Sequence, residues 1–513
     1  MTEGQGRLEA SLGNWLANLG SEEAAVGLLA TAEDLIDAAE SETPSADVWH
    51  RYLNETRRTS FLQALPDTQA RYRWAETTFS VVQTTQFSLE TLFEQRVREH
   101  PDRILFQEME GRESLLWSYE SIFRRLRTMA ALFWKTNPET PRVAIVSENC
   151  LDAACCDLAC LSYDILVTPL NPHFNQETLG WIFDELGINT VVVETEELRD
   201  RLESTRALVA SPFHLFVVDP DAETPGPRES RLGESMAQLG RTEVDEILDA
   251  RPRRLITDLA TVMFTSGSTG RPKGVQYTIY NLISKRFARA AALPKVGDDE
   301  LLFCFLPLYH TFGRYLEMMG MIFWGGAYVF AGNPSFETLL GGLQSVRPTG
   351  LISIPRRWQQ IKERCLAEMD AAEDRASREE SFRRTVGDRL RWGLSAAGAL
   401  EPAAFHFFQR HGVELCSGFG MTEATGGITM TPPGAYEDNS VGVPLPGLTA
   451  RLSEEGELQI SGHYVARYLG DPVPAPGEDY WLPTGDIFRV RESGHYEIVD
   501  RIKDIYKNSK GQT

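Results

Sequence analysis

At 513 residues the chain is longer than one ordinary hydrophobic core organises, so two or more subdomains are expected. With 42% hydrophobic residues it can bury them, and a formal net charge of −22 argues against nucleic acid or an anionic membrane surface as main partner, since either needs a basic face. No basic, apolar leader opens the chain and its longest apolar run, about residues 318–331, is broken by glycines and too short to span a bilayer, so the expectation is a soluble, cytoplasmic protein without a transmembrane segment.

In the first 84 residues Leu8, Leu12, Trp15, Leu16 and Leu19 recur at helical spacing, and acidic stretches alternate with apolar ones. This predicts short amphipathic helices. They could dock a partner such as a carrier protein or cover an apolar patch of the main domain, and nothing in their chemistry marks a site. Further on, seven cysteines stand at 150, 155, 156, 160, 304, 365 and 416, without the paired spacing of a zinc site. Four of them fall in NCLDAACCDLAC, where they ring a helix among Ala and Leu and act as small apolar residues. The runs RVAIV, NTVVVE, LFVV and AYVFA read as strands between helical stretches, which predicts an α/β fold of layered, largely parallel sheets flanked by helices.

After the apolar run Ala260–Phe264 comes TSGSTGRPKG, comprising Thr265, Ser266, Gly267, Ser268, Thr269, Gly270, Arg271, Pro272, Lys273 and Gly274. Glycines let backbone amides turn toward an anion, the hydroxyls add donors, and Lys273 supplies a compact positive charge. A nucleotide triphosphate is the ligand this suits. The order differs from the Walker A loop, so P-loop chemistry is not implied.

Further segments follow: LPLYHTFG (306–313), SAAGALEP (395–402), GFGMTE (418–423), VGVPLPG (441–447), GELQISG (456–462), PTGD (483–486) and DRIKD (500–504). In this order and spacing the chain resembles the adenylate-forming (AMP-binding) superfamily, most closely long-chain fatty acyl-CoA synthetases, over about residues 85–513. The resemblance implies a helical extension over 1–84, an AMP-binding domain over 85–500 and, from 501 to 513, a hinge and the start of a further domain.

It also implies roles. The Thr265–Gly270 loop wraps the β- and γ-phosphates of ATP, with Lys273 as a mobile counter-charge. Thr422 contacts the α-phosphate and Glu423 holds Mg²⁺, a hard cation that takes one or two protein oxygens; read by itself, the Thr-Glu pair would be a helix N-cap, and the two readings are compatible. Gly418, Phe419, Gly420 and Met421 lie along adenine, where Phe419 replaces the family's usual Tyr. Asp486, which would otherwise cap a turn, accepts the ribose hydroxyls, and Arg501 is a second nucleotide contact. His310 stands beside the acyl carboxylate, with Thr311, Phe312, Ala396 and Gly420 around the acid. Ala397 and Gly398 border adenine, and Ala396 and Ala397 depart from the family's commoner glycines, narrowing that floor.

The segments 346–361 and 500–513 resemble long-chain synthetases, so a medium- to long-chain fatty acid is the first choice of acid and CoA the thiol acceptor. Aryl acids are the alternative. The resemblance further implies a lysine-bearing C-terminal lid after the hinge at Lys503, and the chain ends at Thr513. The expectation is a chain cut before that lid, slow in adenylation and poor in thioester formation. Rival readings are an adenylation module loading a carrier-protein phosphopantetheine, and a non-catalytic nucleotide-binding regulator. A serine hydrolase fails, because Ala397 occupies the second glycine position of the GxSxG elbow.

Overall fold

The computed structural model describes residues 2–38, 42–110, 113–223, 226, 228–265, 271–332, 335–372, 374–473 and 475–501. Among these, strands form two large mixed sheets and one small antiparallel one, layered with helices. The eight-stranded sheet runs Arg467–Tyr468, Lys273–Thr278, Leu259–Thr265, Leu166–Leu170, Arg142–Val146, Thr190–Val193, His214–Val217, Glu229–Arg231. Its last six strands are parallel, and the first two close one edge antiparallel. Strands such as Thr190–Val193 are buried along their whole length, as a parallel sheet covered on both faces requires. The nine-stranded sheet has a parallel centre of Glu414–Phe419, Trp392–Ser395, Gly350–Ser353, Leu301–Cys304, Ala327–Phe330 and Ile104–Glu110. The expected α/β layering with largely parallel sheets is what the structure shows.

The cysteine-rich segment is the helix Leu151–Ser162, with Cys155, Cys156 and Cys160 buried in the main core and burial pushing their thiols up. Between residues 3 and 85 the chain forms helices Glu3–Ala17, Glu22–Ile36, Ala46–Thr56, Thr59–Ala64 and Thr68–Thr85. Their apolar faces, including Leu8, Leu12 and Trp15, belong to the same core cluster as strands of both large sheets. Trp74 packs edge-on against Phe287, with ring centres 5.8 Å apart, which seats the Thr68–Thr85 helix on Ile279–Ala292.

Ile279–Ala292 starts with a reciprocal capping box between Thr278 and Asn281, so its first turn is fixed directly after the strand Lys273–Thr278. After His310, Phe312–Met318 winds as a π-helix, the wide form that recurs at functional sites. Gly313 sits in its first turn, where a Cβ would fall 2.3 Å from the Leu306 carbonyl oxygen. The four-stranded sheet Leu448–Leu452, Glu457–Gly462, Leu482–Val490, Tyr496–Arg501 is wholly antiparallel and has its own small core around Leu458, Ile460 and Phe488.

Candidate active site

The strands Leu259–Thr265 and Lys273–Thr278 are antiparallel neighbours with Thr265 opposite Lys273. They present the two ends of the phosphate-loop motif side by side; Ser266, Gly267, Ser268, Thr269 and Gly270 lie outside the described residues. The Lys273 ammonium is 5.0 Å from the centre of the Tyr468 ring, and the Tyr468 hydroxyl donates to Glu423 Oε1 at 2.6 Å. One aromatic side chain thus bridges the predicted counter-charge and the predicted metal ligand. Glu423 is only 8% exposed and makes no ion pair with a described residue.

Thr422 and Glu423 occupy the 3-10 turn Thr422–Ala424, whose N-cap is Met421 and which has no side-chain cap bond. The helix-cap reading of this pair is therefore corrected: the turn is too short to need a side-chain cap, and the Tyr277 hydroxyl, bound to the Thr422 carbonyl at 2.6 Å, braces it from below. The Met421 carbonyl accepts both Ala424 N–H and Gly426 N–H at 3.1 Å, closing the loop after the Glu414–Phe419 strand. Gly420 allows that closure, because a Cβ there would stand 2.0 Å from the Gly426 carbonyl oxygen.

Two cavities meet at Tyr309 and His310. One, about 260 Å³, is lined by Phe264, Thr265, Thr311 and Thr422 among others; the second, about 230 Å³ and mostly apolar, by Leu306, Phe312, Ala396 and Ala397 among others. His310 presents its ring to both, although the protein packed around it is dense enough to lower its pKa by desolvation. It is therefore neutral at pH 7. Its ring lies parallel to Phe312, with centres 5.9 Å apart, and Nδ1 accepts the Phe312 N–H at 3.5 Å, leaving Nε2 to carry the proton. Ala397 has φ of 65°, a left-handed conformation that costs a non-glycine residue about 1–2 kcal/mol, at the place where the sequence departs from glycine.

Asp486 and Arg501 face each other across the strands Leu482–Val490 and Tyr496–Arg501, and Arg501 Nε donates to Asp486 Oδ1 at 3.0 Å. Burial holds the Asp486 carboxyl above the usual aspartate range, with Arg501 opposing. Two residues beyond Asp486, Phe488 meets Phe419 edge to face at 5.0 Å, which ties this strand to the GFGMTE loop. Gly418 pairs with Met430 in the sheet, and Gly398 lies against Pro355.

The fold therefore brings Thr265, Lys273, Thr422, Glu423, His310 and Thr311 around one cavity region, and Ala396, Ala397 and Phe312 around the adjoining one. The Asp486–Arg501 pair is linked to them through Phe488 and Phe419. Lys503 lies outside the described residues. Tyr468 and Tyr277 were not singled out by sequence; their partners are 45 and 145 residues away, beyond any local pattern.

Residues 93–468 match the family described as AMP-binding enzyme. Long-chain-fatty-acid–CoA ligase 1 of Homo sapiens is 26% identical over 432 residues, covering 74% of this chain and 61% of its own length. Long-chain-fatty-acid–CoA ligase FadD15 of Mycobacterium tuberculosis is 26% identical over 413 residues, 72% of this chain and 67% of its own. Toward the first of these relatives the chain spans about three-fifths of the length. Among solved structures, ATP-bound MatB from Rhodopseudomonas palustris aligns with TM-score 0.66 at 21% identity over 82% of this chain and 80% of that one. The N-terminal domain of FACL13 from Mycobacterium tuberculosis aligns with TM-score 0.64 at 17% identity, over 81% and 99%. The family match extends from the helix Leu89–Glu99 to the strand Arg467–Tyr468 and takes in the phosphate-loop strands, His310 and the Thr422–Glu423 turn, and the chain belongs to the AMP-binding enzyme family.

Proposed function

We propose that this chain activates a carboxylic acid with ATP, forming an acyl-adenylate and pyrophosphate as the first half of an AMP-forming acid–thiol ligase reaction. The carrying observation is the run of contacts Lys273–Tyr468–Glu423 and Tyr277–Thr422 beside a cavity that Thr265, His310 and Thr311 also line. An acid oxygen attacks the α-phosphorus and the bond to pyrophosphate breaks. Both reactants are anions, so the site must supply compensating charge.

Lys273 and the Thr265–Gly270 loop hold the β- and γ-phosphates, and Thr422 the α-phosphate. Glu423 fits Mg²⁺: it is a buried carboxylate with no ion pair to a described residue, oriented by a phenol hydroxyl. Held by Glu423 with the phosphates, Mg²⁺ would supply charge neutralisation there. Neutral His310 orients the attacking oxygen by a hydrogen bond without trapping it as an ion pair, with Thr311, Phe312, Ala396 and Gly420 shaping the acyl entrance. Gly418, Phe419, Met421, Ala397 and Gly398 border adenine; Asp486 takes the ribose hydroxyls and Arg501 steadies it. The acid is a fatty acid, after the names of the curated relatives, and CoA is the thiol that follows, with movement about Lys503. No helix among the described residues is long and apolar enough to cross a membrane, and we place the enzyme in the cytoplasm.

Calorimetry with non-hydrolysable acyl-sulfamoyl adenosines tests this reading. Binding is expected, together with at least a tenfold (about 1.4 kcal/mol) loss of Mg²⁺-dependent ATP affinity in Glu423→Gln. Failure of the whole series to bind refutes adenylation.

A further inference from the structure

The helix Ile279–Ala292 carries three cations, Lys285, Arg286 and Arg289, all within the protein interior. None forms an ion pair with a described carboxylate. Lys285 donates to the Gly427 carbonyl and stands 3.8 Å over the Tyr464 ring; Arg286 donates to the Tyr315 carbonyl. Arg289 is worse provided for. One of its terminal nitrogens faces the thioether sulfur of Met430 at 3.3 Å, a weak acceptor, and its Nε has no partner. The buried carboxyl of the neighbouring π-helix, Glu317, forms no ion pair with any of them, and burial pushes its pKa well up.

A buried guanidinium without an anion is costly. Burial lowers Arg289 only to about 10, with Tyr464 and Cys416 opposing, so it remains charged at neutral pH. Its position matters as well. A Cβ on Gly427 would fall 2.0 Å from the Arg289 guanidinium, and a Cβ on the adjacent Gly426 would touch Thr311, which lines the 260 Å³ cavity. Two residues without side chains thus stand between the predicted acid site and this charge. On the far side Met430 and Cys416 line a cavity of about 580 Å³ that also receives Lys295 and Arg71.

We propose that Arg289, backed by Lys285 and Arg286, recognises a second anionic group on the acid whose reacting carboxylate lies at His310 and Thr311, so that the substrate class is dicarboxylic or otherwise distally anionic acids. This rests on the adenylation reading and replaces its plain fatty acid with one that carries a distal anion. The guanidinium is packed against Gly427 in the free protein, so the distal group reaches it through a shift of the Gly426–Gly427 backbone, with Met430 yielding on the other side. A distal carboxylate supplies the anion that Arg289 lacks in the free protein, whereas a plain hydrocarbon chain leaves it as it is, a difference that discriminates more strongly than an added methylene.

The experiment compares hexanoate with hexanedioate and dodecanoate with dodecanedioate, trapping acyl-adenylate with hydroxylamine, in the wild-type chain, Arg289→Met and Arg289→Lys. At least one diacid is expected to exceed its monoacid by tenfold or more in kcat/KM, mainly through KM. Arg289→Met abolishes that preference while keeping monoacid turnover, and Arg289→Lys restores part of it. Wild-type preference for the monoacid at both lengths overturns the proposal and leaves adenylation standing, whatever the variants do. A folded Arg289→Met with an unchanged ratio also overturns it, because the cations then serve only to hold the Gly427 loop. If no acid yields hydroxamate and ATP does not bind in calorimetry, both readings fall together.

Discussion

Around the Thr422–Glu423 turn, aromatic hydroxyls hold the polar groups, whereas Asp486 is held by Arg501. Tyr468 orients Glu423 and Tyr277 braces the Thr422 carbonyl, so Glu423 is held without an ion pair to any described lysine or arginine. His310 is kept neutral by its surroundings, which has a consequence for stability. Its folded pKa lies below the ordinary 6.5, so between those values the unfolded chain binds the extra proton and stability falls as pH drops below about 6.5. In His310→Asn this contribution is absent, and the fall in thermal midpoint between pH 7.5 and pH 5 should be smaller than in the wild type. An identical fall would show that His310 is not desolvated. Sequence pointed to His310, Thr422 and Glu423 because each sits inside a compact motif. Tyr468 was passed over because its role exists only once the Arg467–Tyr468 strand has paired with Lys273–Thr278.

Between elements, the packing of Thr68–Thr85 on Ile279–Ala292 is the contact with most influence on the site. Trp74 and Phe87 both lean on Phe287, and the Tyr280 hydroxyl and His463 Nδ1 share a hydrogen bond of 2.6 Å on the same helix. These contacts fix the helix that follows the phosphate-loop strand. Trp74→Ala should cost about 3–5 kcal/mol in urea denaturation, the range for removing a fully buried large aromatic. A cost below about 1 kcal/mol would mean that the N-terminal helices are loosely attached. The amphipathic spacing of Leu8, Leu12 and Trp15 was legible in the sequence, but the surface they cover was not. The KRFAR stretch of Ile279–Ala292 carries no local sign of its burial. Such a cluster ordinarily reads as a solvated face, and the structure buries it.

Across the molecule, one continuous core joins the N-terminal helices to both large sheets, whereas the four-stranded sheet has a small core of its own and exposes Val490, Ile498 and Val499. Regions with few buried contacts open first. Native-state hydrogen exchange should therefore release the amides of Leu482–Val490 and Tyr496–Arg501 before those of Leu259–Thr265, and nucleotide should slow the former through Asp486 and Arg501. Simultaneous release would indicate a single cooperative unit. The sequence by itself determined the α/β class, the buried cysteine helix and the order of the site motifs, because periodicity and turn chemistry are written within a few consecutive residues. Only the tertiary structure decided that Arg501 faces Asp486, that Tyr468 orients Glu423 and that Arg289 lies behind Gly427 with no described carboxylate as partner. Those relations depend on sheet register and on the packing of segments far apart in the chain, where no local pattern records which side chain another will meet.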